Sequence, residues 1–169
     1  MHIQTHIMSG WCVADTLELT PRERFLAMVA SSAADLDGLG LLVGRDYYER
    51  YHHVIGHNLL VGVALTGILT AFSTHRLRAG LLYLGLFHLH LVLDYFGSGP
   101  GWTISYLWPF SDIELEYANA WSLTSWQNFV VGTFFLIWMI VIVVRRGRTP
   151  LEVILPSLDA KIVERYKKR

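Results

Sequence analysis

The segment GLLYLGLFHLHLVLDYF, Gly80 to Phe96, decides how this chain is read, because it is apolar enough for a membrane helix and yet carries His88, His90 and Asp94. Ionisable groups in hydrocarbon cost several kcal/mol unless they face a protein interior or a wet cavity and find partners. A second apolar run, Leu59 to Phe72, is entered through His52, His53 and His57. Imidazoles and carboxylates kept in such places point to a metal.

Around these runs the chain reads as an all-α, multi-pass membrane bundle with three or four membrane helices. The candidates are residues 55–73, 80–96 and 128–144, the last being NFVVGTFFLIWMIVIVV between Trp126 and Arg145–Arg146. Each falls a little short of the roughly 20 residues that cross a bilayer, so flanking residues or local thinning must cover the difference. Of the 169 residues, 53% are hydrophobic and 17% charged, and the mean hydropathy is positive. Formal net charge is zero, so no basic field calls for nucleic acid. The single Cys12 excludes an internal disulfide and a thiolate zinc cage. The N-terminus, MHIQTHIMSGWCVADT, has neither the basic start nor the unbroken apolar run of a secretory signal.

Charge sets the orientation. The turn Ser73–Ala79 holds Arg76 and Arg78, and the third helix ends in Arg145, Arg146 and Arg148; the connection from Gly97 to Gln127 has Asp112, Glu114 and Glu116 and no Lys or Arg. The arginine ends are therefore expected in the cytoplasm and the connection outside. That puts His52 to His57, His90 and Asp94 on the outer face. Upstream, Thr20 and Pro21 are a good N-cap and first residue for a helix. Its apolar stretch Phe25 to Ala34 is short, so a partly embedded or tilted helix delivering Asp35 and Asp37 is expected, with a fourth spanning helix over 21–43 as the alternative. Gly38, Gly40 and Gly44 read as breakers. Residues 1–148 form the membrane-embedded metal-binding domain in this reading and 149–169 a cytoplasmic tail. In the tail Leu158, Ile162 and Tyr166, among Lys161, Arg165 and Lys167–Arg169, suit an amphipathic helix on anionic lipid or a solvated end. Oligomeric state is not encoded.

Residues four apart share a helix face, so His90 and Asp94 can reach one metal or two adjacent ones. His53 and His57 share that spacing, whereas His52 and His57 are five apart and need a helix starting between them. Asp35 and Asp37 suit a helix end or bend. His88 points away from His90 and reads as structural. A set of imidazole and carboxylate without thiolate suits zinc foremost, with manganese or iron as alternatives. More than four such ligands exceed one tetrahedral zinc, so two or more divalent ions are expected, with a bound water brought to a pKa near ~7.

The order Thr5-His6-x3-Gly10, Ala34-Asp35-Leu36-Asp37, His52-x4-His57-Asn58, His90-x3-Asp94 and Trp108-Pro109-Phe110-Ser111 resembles the bacterial membrane-bound metal-dependent hydrolases. These are inner-membrane proteins, some under SOS control, related in motif to zinc-dependent phospholipase C. The resemblance covers roughly residues 5 to 112. It implies His6, Asp35, Asp37, His52, His57, His90 and Asp94 as metal ligands, with His52 rather than His53 beside His57. Ala34 stands where the family has proline, His53 where it has arginine, and Gly56-His57-Asn58 where it has Thr-His-Ser. A protonated His53 could take over an arginine's hold on a phosphate.

The implied activity is hydrolysis of a phosphoester in a phospholipid-like substrate, with Asp35 or Asp37 as general base and Trp102, Tyr106, Trp108 and Phe110 walling the entrance. Two alternatives stand beside it. One is hydrolysis of a lipid amide, as in the zinc-dependent membrane ceramidases. The other is a non-catalytic metal-handling or stress-induced membrane protein, against which the placement of the ligands near one end of two helices counts.

Overall fold

The computed structural model describes residues 1–167, and the fold is all-α as expected, a helical membrane bundle with a possible metal site formed by Asp35, His57, His90 and Asp94. The elements are α1 (Ile3–Ala14), α2 (Pro21–Ser32), a 3-10 stretch (Ala33–Leu42), α3 (Arg45–Tyr51), α4 (Leu59–Ala71), α5 (Arg76–Gly97), α6 (Trp126–Arg146) and α7 (Pro156–Lys167). The basic residues Lys168 and Arg169 of the tail lie outside the described residues.

Three helical segments are long and apolar enough to cross a membrane, but they are not the expected three. α5 and α6 are as expected, each a little more than a turn longer. The third is Pro21–Leu42, because α2 runs without a break into the 3-10 stretch. α4 instead has only 13 residues, about 20 Å at ~1.5 Å per residue against a hydrocarbon core of about 30 Å. Its start is fixed by Asn58, whose side chain accepts from Val61 N–H at 2.9 Å and donates to the carbonyls of Val54 and Ile55. Residues 52–58 are thereby a folded loop rather than helix.

α2 begins where Thr20 and Pro21 announce it. Thr20 and Glu23 form a reciprocal capping box, with Thr20 N–H on Glu23 Oε2 at 2.8 Å. α1 packs along α2 through small residues. A Cβ on Gly10 would lie 2.2 Å from Ser31 Oγ and 2.6 Å from the Ala27 carbonyl, so glycine is what lets the two backbones approach. Ala14, Ala27, Ala30, Ala79, Tyr83 and Leu86 join α1, α2 and α5 in one cluster; Trp11 and Cys12 meet Phe135 and Ile142 of α6 in another.

The arginines gather at the end of α5 opposite Asp94. Arg78, Arg146, Arg148 and His75 surround one cavity with Leu17–Thr20, and Asp15 pairs with Arg148 and, at 3.4 Å, with Arg146. The tail forms a helix, and its approach is tied down: Glu152 makes two contacts to Arg24 at 2.6 and 2.7 Å, and Asp159 accepts from Thr149 N–H at 2.7 Å. Ile162 and Tyr166 face α6 across an apolar cavity of about 340 Å³.

Candidate metal centre

α5 supplies the rigid half of the site. His90 and Asp94, one turn apart, are 1% and 2% exposed. The His90 ring is fixed by Nδ1, which donates to the Ser31 carbonyl at 2.8 Å at the end of α2. Just past that carbonyl the chain tightens into the 3-10 stretch, which brings in Asp35 and Asp37. The loop 52–58 closes over them. A Cβ on Gly56 would lie 2.1 Å from the Ala34 carbonyl, so glycine is what lets the loop press down here. His53 takes a left-handed backbone, φ 68°, a conformation that costs a side-chain-bearing residue about 1–3 kcal/mol unless its surroundings impose it.

Asp37 imposes it. Its Oδ2 accepts from His53 N–H at 3.1 Å, Gly56 N–H at 3.0 Å and His57 Nδ1 at 2.9 Å, while Oδ1 meets His52 Nδ1 at 2.5 Å. Two histidines thus have their Nδ1 atoms committed to oxygen acceptors, His57 to a carboxylate and His90 to a carbonyl. Each must carry its proton on Nδ1 and present a lone pair at Nε2. Those two Nε2 atoms are 3.1 Å apart. Asp94 Oδ2 lies 2.9 Å from one and 3.3 Å from the other, buried and without a hydrogen bond among the described residues. Asp35 Oδ1 faces the same point at 3.7 and 3.8 Å.

Three buried lone pairs converging this closely repel one another unless a cation or a proton sits among them. Asp35, His57, His90 and Asp94 bring their ligand atoms within 4.8 Å of one another. Imidazole Nε2 with carboxylate oxygen, each imidazole anchored through its far nitrogen, is the donor set and outer shell a divalent metal requires. The residues fit the ion. The same field acts on protons: burial opposes a charge on His57, but Asp37 and Asp94 outweigh it and raise its pKa to about 9.

The remaining expected ligands lie around this group. His6 is buried, with Nε2 3.2 Å from the other oxygen of Asp94 and its ring 3.9 Å from that of His90. The Met1 amino group also lies against that oxygen and 3.1 Å from Ser98 Oγ. Asp37 and His52 are held by each other one layer out. His53, four residues before His57, reaches Asp94 Oδ2 only at 4.0 Å, since helical spacing does not apply in a loop. Burial first, and then neighbouring His57, lower the His53 pKa to about 2, so it is neutral rather than an arginine-like cation. Ser31, which acts through its main chain, leaves no signal in the sequence. His88 is structural as read, bonding the Leu84 carbonyl and, at 2.9 Å, the Tyr106 hydroxyl.

A cavity of about 180 Å³ opens onto the group, lined among others by Asp35, Tyr48, His52, His53, Asp94 and Trp102. Of the aromatic residues expected at the entrance, Trp102 is there, edge-on to His52 and Tyr48. Tyr106 is drawn away by His88, and Phe110 is 80% exposed.

No curated protein and no solved structure matches the chain. One family model does, over residues 1–162, and it is described as YdjM inner membrane protein. With nearly the whole chain matched, and with apolar helices that suit that description, this chain belongs to the YdjM inner membrane protein family.

Proposed function

We propose that this inner-membrane protein is a metal-dependent hydrolase that cleaves a phosphoester of a phospholipid-like substrate at the outer face of the membrane. The observation that carries the reading is the convergence of His57 Nε2, His90 Nε2 and Asp94 Oδ2 beside a cavity. His57, His90 and Asp94 would hold a divalent ion, zinc foremost, which when bound would supply an activated water and an electrophilic contact for the ester. The chain's own residues do the rest. Ser31 and Asp37 hold the two imidazoles in the ligating tautomer. Asp37 is spent on its four contacts, whereas Asp35 lines the cavity with its side chain 14% exposed, free to take a proton from an attacking water as general base.

The arginine cluster belongs in the cytoplasm by the positive-inside rule, which turns the metal end outward, to the depth of lipid headgroups. α7, with Lys161 and Arg165, would then rest on anionic lipid of the cytoplasmic leaflet. The test is metal content of purified wild type against His90→Ala and Asp94→Ala, with hydrolysis followed on phosphodiester and acyl-amide lipids in parallel. Stoichiometric metal lost in both variants, with phosphodiester turnover, is the expected result. Equal, substoichiometric metal in all three proteins would refute it, and turnover of the amide alone would make the protein a lipid amidase.

A further inference from the structure

We propose that the Tyr48 hydroxyl is the hydrogen-bond donor that receives a phosphoryl oxygen of the ligand in the cavity beside Asp35 and Asp94; this rests on the phosphoester reading above. α3 is otherwise a surface helix. Of Arg45 to Arg50, Tyr48 is the residue that turns inward, half-buried, to line the cavity. Its ring is fixed on both sides. It stacks on His52 with centroids 4.6 Å apart and planes at 20°, and it meets the edge of Trp102 at 5.6 Å. His52 is itself pinned by Asp37.

The hydroxyl has no hydrogen-bond partner among the described residues, although the ring that carries it is held from two sides. Burial first, then the charges of Asp37, Asp35 and Asp94, raise its pKa, so the group stays an O–H donor in a cavity that it lines together with Asp35 and Asp94. The cavity's carboxylates accept only, and its cationic donor, the Met1 amino group, is already turned on Asp94 and on Ser98 Oγ, whereas the Tyr48 hydroxyl has no such commitment. An oxyanion bound there needs neutral donors beside the metal, as in sites that stabilise developing charge with fixed O–H and N–H groups.

The experiment is calorimetric titration of inorganic phosphate into zinc-loaded wild type, Tyr48→Phe and Tyr47→Phe in detergent, with zinc content measured on each. Tyr48→Phe keeps the ring that stacks on His52 and removes only the donor. Phosphate affinity should fall about tenfold in Tyr48→Phe. Zinc content should not change, and Tyr47→Phe, on the outer side of the same helix, should match wild type. Equal phosphate affinity in Tyr48→Phe and wild type overturns the role of Tyr48 and leaves the metal site standing. Zinc-loaded wild type that binds no phosphate overturns both this role and the phosphoester reading.

Discussion

Replacing Asp37 by asparagine tests whether one carboxylate assembles the site. The substitution keeps size and one acceptor oxygen, so the N–H groups of His53 and Gly56 and His57 Nδ1 can still be received where Oδ2 now receives them at 3.1, 3.0 and 2.9 Å. What is lost is the charge. Hydrogen bonds to a charged acceptor contribute about 1.5–3 kcal/mol and neutral ones about 0.5–1.5, a difference of about 1 kcal/mol for each of three bonds. The amide nitrogen would also face His52 Nδ1, now 2.5 Å from Oδ1, and that ring must change tautomer or move. Roughly 3 kcal/mol of stability should go. Because the carboxylate's charge also raises the basicity of His57 as a ligand, metal affinity should drop about 10- to 100-fold, the usual effect of weakening such an outer partner. The assay pairs denaturant unfolding in detergent with a competitive zinc titration. A variant that unfolds with wild type and binds zinc within twofold of it would refute the reasoning, and Asp37 would be an ordinary loop residue.

Other perturbations probe the same construction from different sides. Gly56→Thr puts a Cβ 2.1 Å from the Ala34 carbonyl; overpacking of this kind costs about 1–3 kcal/mol, read as a lowered unfolding midpoint, and it should lower zinc affinity as well. Gly10→Ala strikes Ser31 and the Ala27 carbonyl and should cost a similar amount, whereas Gly67→Ala, with open space around its Cβ, should be neutral or mildly stabilising. The pKa of His57 is raised from 6.5 to about 9, so metal-free protein holds a proton that a divalent ion must displace. Zinc affinity should therefore climb about tenfold per pH unit until pH approaches 9 and then level off. The same shift stabilises the metal-free fold fully below about pH 6.5 and is lost as pH rises through about 9. A flat zinc affinity between pH 6.5 and 8.5 would show that no such proton is displaced.

The helices that are apolar all round are legible from sequence, because length and hydropathy alone define them. α5 adds a second legible layer, since His90 and Asp94 at four-residue spacing need only a helix to meet. Illegibility starts where the backbone leaves the α period. Gly38 and Gly40 read as breakers, yet the α-helix ends earlier, at Ser32, and a 3-10 helix runs from Ala33 through both glycines to Leu42, advancing about 2.0 Å per residue and so lengthening a span whose apolar stretch is short. α1 is hidden for a different reason. Its buried face is Thr5, His6, Ser9, Gly10, Trp11 and Cys12, small and polar enough that no apolar stripe marks it. The choice between His52 and His53 as partner of His57 assumes helical geometry or a motif; in the folded loop neither reaches the group, because Asp37 holds one and the left-handed turn diverts the other.

These failures and the site have one cause. Metal donors in an apolar bundle must be aimed without bringing in many more polar side chains, each of which would need its own partner in hydrocarbon. Here the aiming is done by groups already present. A main-chain carbonyl left over where α2 tightens holds His90, and one carboxylate fixes a loop and His57 together. The first leaves no mark in the sequence, and the second shows only as an aspartate, Asp37, with nothing to tell its anchoring role from a ligand's. What sequence does preserve is the electrostatic demand they serve: Asp35, Asp37 and Asp94 meet at one end of the bundle, where no lysine or arginine side chain lines the cavity, while the arginines gather at the other end. The proton that Asp37 and Asp94 hold on His57 offsets part of that demand, and a divalent ion between His57 and His90 offsets more of it. If the ion displaces that proton, apo protein and loaded protein should differ most in stability at alkaline pH, where the proton is no longer available to stand in. A zinc-induced rise in unfolding midpoint that shrinks between pH 7 and pH 9 would contradict this account.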